Sequence, residues 1–250
     1  MIVKLTGGLG NQMFQYAFGQ SQSTIRCRTA DFHWCRSSWD YQLDKYKAGD
    51  YAHLVQPIFC QVNIYDEKSP DFDPGVHTAS DNTYFRGYWQ SETYFANSWT
   101  LRRELKLKEP TAAMAALAEQ IHHAENSVFI HVRHGDYLSN PETGDFHGVL
   151  PDEYYFAAVD YIRSTVHNPS FFIFSDDPDW CMRSFLPGVF ISAGPQGDLF
   201  LMNQCRHAII ANSTYSWWGA WLGDAKVVVG PKRWFKHSNY NIMPERWIKL

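Results

Sequence analysis

The sequence predicts an α/β fold made of two Rossmann-like domains with parallel sheets, and three observations carry that expectation. The chain opens on a strand, a glycine turn and a helix in direct succession: Ile2-Val3-Lys4-Leu5, Gly7-Gly8-Leu9-Gly10, then Asn11 onward. That is the usual start of a Rossmann-like unit. In the second half, short apolar runs begin at 171, 189, 208 and 227, spaced by 18 or 19 residues with helical patterns between them. Buried strands alternating with helices make a parallel sheet covered on both faces. Between the halves stands Glu109-Pro110. Proline favours the first turn of a helix and disfavours its interior, so a boundary falls there. The expected domains are 1–110 and 111–250, with ligand at the carboxyl ends of the strands and in the cleft between the domains.

The elements follow in order. Ile2–Leu5 reads as a strand, and Asn11 to Ser23 as a helix with Met13, Phe14, Ala17 and Phe18 on one face. From 26 to 82 the chain is rich in aromatics, Asp and Pro with no clear period, which predicts irregular connections and short helices. Tyr84–Tyr88 reads as a strand and Glu92–Asn97 as a helical turn. Thr111–His123 is alanine-rich, with Met114, Leu117, Ala118 and Ile121 at helical spacing. Val128–Val132 is an apolar strand and Asp152–Val166 a helix. Phe171–Phe174, Val189–Ile191, Ala208–Ala211 and Val227–Val229 are the remaining strands, the last ending the series. Asp198–Cys205 and Thr214–Leu222 are the helical patterns between them.

Composition narrows the function classes. With 45% apolar and 19% charged residues the chain is a folded one. A net charge of −4 offers no basic footprint for nucleic acid. The five cysteines (Cys27, Cys35, Cys60, Cys181, Cys205) are odd in number and lack a CxxC pair, which argues against a disulfide framework and a zinc site. No signal peptide opens the chain, and no apolar run approaches the ~18 residues of a membrane span. A cytoplasmic setting fits, with a peripheral place at the inner membrane left open. Aromatics make up 16% of residues. They suit stacking on bases and sugars, although core packing accounts for most of them.

Four clusters carry chemistry. His131-Val132-Arg133-His134-Gly135-Asp136-Tyr137 follows a buried strand. Arg133 can clamp a phosphate bidentately, Gly135 allows a tight turn, and Asp136 is an acid, base or orienting residue. A surface turn in which Arg133 and Asp136 pair is the plain alternative. Ser175-Asp176-Asp177-Pro178 also follows a strand. Its carboxylates can bind a metal, accept from N1–H and N2–H₂ of guanine, or cap a helix starting at Pro178. Asn212-Ser213-Thr214-Tyr215-Ser216-Trp217-Trp218 follows a strand and opens a helix, where N–H groups and hydroxyls make an anion site; ordinary capping with both tryptophans in the core is the alternative. Gly7–Gln12 is neither GxGxxG nor a P-loop, and it places the amides of Asn11 and Gln12 at a helix start.

Taken together, these segments resemble glycosyltransferase family 11, the α-1,2-fucosyltransferases. The resemblance rests on Gly7–Gln12 with Met13–Ala17, Gly87-Tyr88-Trp89-Gln90-Ser91-Glu92, His131–Tyr137, Phe174–Asp177, and Asp198-Leu199 through Asn212–Trp218. It departs from the family's usual His-x-Arg-Arg-Gly-Asp-Tyr at His134, which leaves Arg133 as the one guanidinium. The resemblance implies a GT-B arrangement of two facing domains, the first on the acceptor side and the second binding a GDP-sugar. It implies inverting transfer from GDP-β-L-fucose to a galactose-terminated glycan, with no metal and no cofactor beyond the donor. Arg133 would stabilise the leaving phosphate and Asp136 would serve as base or orient Arg133. Donor contacts would come from Asn11, His131, Arg133, Asp176 or Asp177, Asn212, Ser213, Thr214 and Ser216, and acceptor contacts from Gln12 and Glu92. A metal-dependent transferase using Asp177-Pro178-Asp179, and a non-catalytic nucleotide- or glycan-binding protein, are the competing readings.

Overall fold

Four consecutive residues, Ile2–Leu5, form β1, and Gly7 and Gly8 turn the chain directly into the helix α1, Leu9–Arg26. Gly7 sits at φ +80°, a backbone state that residues with a Cβ resist. The computed structural model describes residues 1–135, 141–184, 186–238 and 240–250. It divides into two units, Met1–Glu109 and Pro110–Leu250.

In the first unit β1 is joined by β2 (Asp31–Trp34), β3 (Asn63–Asp66) and β4 (Thr83–Arg86) in a parallel sheet of order β2-β1-β4-β3. The 26–82 stretch therefore holds two strands that its sequence hides. Each has only four residues, and β3 at the sheet edge is mostly exposed, so neither shows a buried period. The apolar side of α1 covers one face of the sheet. Phe18 stacks on Trp89 at 4.2 Å and meets Phe85 edge-on at 5.3 Å, while Tyr16 stacks on Phe32 at 5.4 Å. On the other face Phe59 packs edge-on to Tyr84. Glu104 ends the short helix α2 (Ser98–Glu104) and accepts from the buried Tyr16 hydroxyl at 2.8 Å. Burial, with Glu104 beside it, pushes the Tyr16 phenol well up.

The second unit has six parallel strands in the order β10-β9-β8-β5-β6-β7. They are β5 (Ser127–Val132), β6 (Ser170–Ser175), β7 (Val189–Phe190), β8 (His207–Ile209), β9 (Val227–Gly230) and β10 (Ile248–Lys249). The expectation that the strand series ends at 229 is corrected by β10, whose two residues pair with β9. A two-residue strand is too short to show a period. The helices are α3 (Ala112–His123), α4 (Pro141–His147), α5 (Asp152–Thr165), α6 (Pro178–Arg183), α7 (Gly194–Met202) and α8 (Thr214–Leu222). Every residue of β5 is buried, because alternate side chains enter two different cores. Val128, Ile130 and Val132 pack with Tyr155, Val159 and Ile162 of α5. Phe129 faces the other way, toward Gly219 of α8 and Met202 of α7. Trp217 and Trp218 are fully buried, and the Trp217 indole N–H donates to the Ile242 carbonyl.

From β5 the chain builds outward through β6 to β7, then returns to the other side of β5 for β8, β9 and β10. The reversal lies between β5 and β8. In open parallel sheets ligands bind outside the carboxyl ends of the strands at such a point. All five cysteines are free thiols. Among the described residues, no helix is long and apolar enough to cross a membrane.

Candidate active site

The carboxyl ends of β5, β6 and β8 carry the site of the second unit. The β5 register pairs Val132 with Ser175, so the residues just past each strand emerge side by side. Arg133 Nη1 lies 2.8 Å from Asp176 Oδ2, and Asp176 Oδ1 accepts from the His134 backbone N–H at 2.9 Å. One carboxylate thus holds both the guanidinium and the backbone beside it. Gly135 makes this approach feasible: a Cβ there would stand 2.5 Å from Asp176 Oδ2. The Gly in the motif is therefore a steric requirement.

Asp177 does two jobs. Its Oδ1 accepts from Trp180 N at 2.9 Å and caps α6, while Oδ2 meets His134 Nδ1 at 3.2 Å. The Trp180 N–H, then His134, hold its carboxyl below the usual carboxylate range. His134 is buried and packs edge-on against Trp180 at 4.7 Å. The residue standing where the family has a second arginine is thus packed and paired inside the unit.

His131 comes from the face of β5 opposite α5. It is buried, its ring lies 5.5 Å from that of Tyr215, and its Nδ1 has no hydrogen-bond partner among the described residues. Burial pulls its pKa down to about 3, with Asp176 opposing the shift and Arg133 adding to it. The imidazole is therefore neutral at physiological pH. A pH dependence follows. Between the unfolded value near ~6.5 and the folded one, the unfolded chain binds a proton that the native chain does not. Stability contributed by neutral His131 is complete above that window and is lost as pH falls through it, by up to about 1.4 kcal/mol per pH unit. Urea unfolding of His131→Gln from pH 6 to 4.5 should show a shallower loss than the parent. An unchanged slope would rule His131 out as the source.

The 212–216 segment divides between structure and surface. Asn212 is buried, and its amide N–H₂ reaches the carbonyls of His147, Gly148 and Trp234 at 2.9, 3.0 and 3.4 Å. Ser216 is also fully buried, its hydroxyl aimed at the Ser213 and Ala211 carbonyls. Through these bonds both side chains fasten loops inside the unit, and their donor contacts stay a proposal. Ser213 caps α8, accepting from Tyr215 N at 3.4 Å, and Thr214 opens the helix half-buried. Asp136 and Tyr137 lie outside the described residues.

One carboxylate on this rim was not singled out from the sequence as a site residue. Asp198, in the second turn of α7, accepts from Ala193 N at 2.6 Å. Burial raises its pKa to about 6, with the Ala193 N–H acting in the opposite sense. The start of α7 is tied to α8 by the Tyr215 hydroxyl, which donates to the Pro195 carbonyl. Tyr215 thus links His131 to the helix that bears Asp198. The signal was the Gly194-Pro195 helix start just before it. Asp176 and Asp177 each use both oxygens in contacts within the unit, with Arg133 and the His134 N–H for Asp176 and with the Trp180 N–H and His134 for Asp177.

In the first unit, Gln12 is fully buried. Its Nε2 donates to the Gly7 and Asp40 carbonyls at 2.8 and 2.9 Å, and its Oε1 accepts from Gln42 N at 2.9 Å. This amide knits the glycine turn to residues 40–42, and the acceptor contact expected of it stays a proposal. Asn11 Oδ1 accepts from Gln90 Nε2 at 2.9 Å. Glu92 is half-buried at the start of a 3-10 turn. Glu67, unmarked in the sequence, accepts from the N–H groups of Tyr88 and Trp89 at 2.7 and 3.0 Å. It thereby stabilises a turn in which Trp89 sits at φ +56°. Among the described residues no group of three or more His, Cys, Asp or Glu could hold a metal ion.

Two parallel α/β units, one with a guanidinium, a buried neutral histidine and a helix N-terminus at its switch point, share the fold of GT-B proteins. The chain belongs to glycosyl transferase family 11, whose model matches residues 22–248. It is 41% identical to the Escherichia coli O-antigen biosynthesis glycosyltransferase WbnK over 300 aligned positions, covering 98% of this chain and 99% of that one. It is 30% identical to the Escherichia coli α-1,2-colitosyltransferase over 286 positions, covering 100% and 98%. Among solved structures, NodZ α-1,6-fucosyltransferase soaked with GDP-fucose matches with a TM-score of 0.55 at 14% identity, over 88% of this chain and 91% of that one, a likeness of fold.

Proposed function

We propose that this protein is an inverting, metal-independent α-1,2-fucosyltransferase that moves fucose from GDP-β-L-fucose to a galactose-terminated glycan. In this reading the second unit binds the donor and the first faces the acceptor. The observation that carries it is Arg133, held by Asp176 at the carboxyl end of β5 beside neutral His131. Cleavage of the fucosyl–phosphate bond leaves negative charge on the β-phosphate and positive charge on the ring carbon. Arg133 supplies the counter-charge, and the N–H groups at the start of α8, with Ser213 and Thr214, assist. The acceptor hydroxyl attacks from the face opposite the phosphate, and Asp136 remains the proposed base. Glu92 or Asn11 contacts the acceptor in the same reading. A cytoplasmic setting belongs to the same proposal.

His131 with Asp176, Asp177 or Asp198 reads the base in this proposal, and the raised pKa of Asp198 and its link through Tyr215 to His131 favour Asp198 among the three. A carboxylate accepts from both N1–H and N2–H₂ of guanine; adenine lacks both donors, and uracil is too small to fill the same space. Leaving a buried carboxylate unpaired costs on the order of 1–3 kcal/mol, so GDP should bind at least roughly tenfold tighter than UDP or ADP. The ionised form does the accepting, so GDP binding should weaken as pH falls below about 6, the pKa of Asp198 in the free protein. Asp198→Asn should remove both the preference and that pH dependence. Calorimetric titration of GDP, UDP and ADP into both proteins tests this, and equal affinity of the parent for all three nucleotides would end the guanine assignment. A donor screen by GDP release in excess EDTA, followed by a glycan array, tests the reaction itself. Colitose is the second donor reading, favoured by the name of the relative matched along the whole chain. A screen in which only nucleotide-linked colitose turns over would select it.

A further inference from the structure

We propose that Trp39, the Gly7–Gly8 turn and the Asn11–Gln90 amide pair form a stacking subsite for a neutral hexose ring of the acceptor. This deepens the glycosyltransferase reading and rests on it for the identity of the ligand. Trp39 lies across the glycine turn: a Cβ on Gly8 would stand 3.6 Å from its indole ring. Even so, the side chain is 41% exposed, so one side of the indole is backed by backbone while much of the rest meets solvent. A single exposed tryptophan is ordinary. What sets this one apart is how its loop is fixed. The Trp39 N–H reaches Ser37 Oγ at 3.2 Å, and fully buried Gln12 holds the next residues through Asp40 O and Gln42 N. The commitment of Gln12 therefore has a purpose, since it holds an aromatic surface ready before any ligand arrives.

Polar groups hold the same glycine turn that Trp39 covers. A Cβ on Gly7 would lie 2.9 Å from Asn11 Nδ2, so the amide of Asn11 rests against the same turn that Trp39 covers. Asn11 Oδ1 takes the Gln90 amide at 2.9 Å. Gln90 leaves a turn fixed on two sides, by Glu67 at the Tyr88 and Trp89 N–H groups and by Gln15 Nε2 at the Gly87 carbonyl. An aromatic surface beside paired amides suits a sugar ring: its C–H face stacks on the indole, and its hydroxyls both donate to and accept from amides. Trp39, Gly7, Gly8, Asn11 and Gln90 carry no formal charge, which favours a neutral hexose over a phosphate.

The test compares the parent with Trp39→Ala and Trp39→Phe, using methyl β-galactoside as acceptor and the donor chosen by the screen. Trp39→Ala should raise the acceptor KM about tenfold and leave the donor KM and the GDP Kd in place; Trp39→Phe should recover most of the loss. An unchanged acceptor KM, or a donor KM that rises by the same factor, overturns the proposal. Saturation-transfer NMR with methyl β-galactoside and no donor keeps the test independent of turnover. Signal in the parent that is lost in Trp39→Ala supports the subsite even if no nucleotide sugar proves active. No signal from the sugar in the parent overturns it.

Discussion

Arg133→Ala should lower transfer at saturating donor by about 10²–10³, the usual cost of removing one preorganised group that stabilises a developing oxyanion. The effect is large because Arg133 is the fixed positive charge that the 131–135 segment offers, and because His134, in the neighbouring position, is buried and turned to Asp177. Arg133→Lys should recover only part of the loss, since an ammonium cannot span two phosphate oxygens as a guanidinium does. The measurement is single-turnover GDP release with donor saturating, alongside GDP calorimetry to separate binding from rate. A variant with near-parental turnover under those conditions would end the assignment of Arg133 to the leaving group.

Gly135→Ala should be nearly as damaging, although it removes no chemical group. The added Cβ would sit 2.5 Å from Asp176 Oδ2 and 3.0 Å from its Cγ. Asp176 cannot give way without loosening both Arg133 and the His134 N–H. A displacement on the order of 1 Å at a catalytic group costs about 10² in rate, and overpacking costs about 1–3 kcal/mol of stability. Unfolding by urea and turnover measured on the same preparation separate the two. If Gly135→Ala keeps its rate while losing stability, Asp176 is not positioning Arg133. The double variant Gly135→Ala/Asp176→Ser, which relieves the clash, should regain stability but not rate.

Much of the fold was legible in the sequence because its longer elements have strong local signals. The β1–turn–α1 opening, the buried β5 run and the helices at 112–123 and 152–165 stand within a few residues of where periodicity puts them. The elements that were missed are β2, β3, β10, α2 and α4, all of seven residues or fewer. They exist because a neighbouring strand or helix completes their hydrogen bonds or packing, and a local window cannot see a neighbour.

The candidate site divides the same way. Sequence alone marked the candidate segments: the strand ends carrying His131–Gly135, Asp176–Asp177 and Asn212–Ser216, and the glycine turn before α1. Motif spacing along a chain is a local property, so it survives without coordinates. Only the tertiary structure decided which side chain in each segment faces inward. It turned Gln12, Asn212 and Ser216 into buried fasteners, gave both oxygens of Asp176 and Asp177 to protein donors, and brought forward Asp198, Glu67 and Trp39. The reason is that a polar residue has the same formula whether it serves the fold or a ligand. Its role depends on which donors and acceptors the rest of the chain brings within about 3 Å, and sequence separations of 42 residues for His134–Asp176 or 79 for Asn11–Gln90 are closed only by folding.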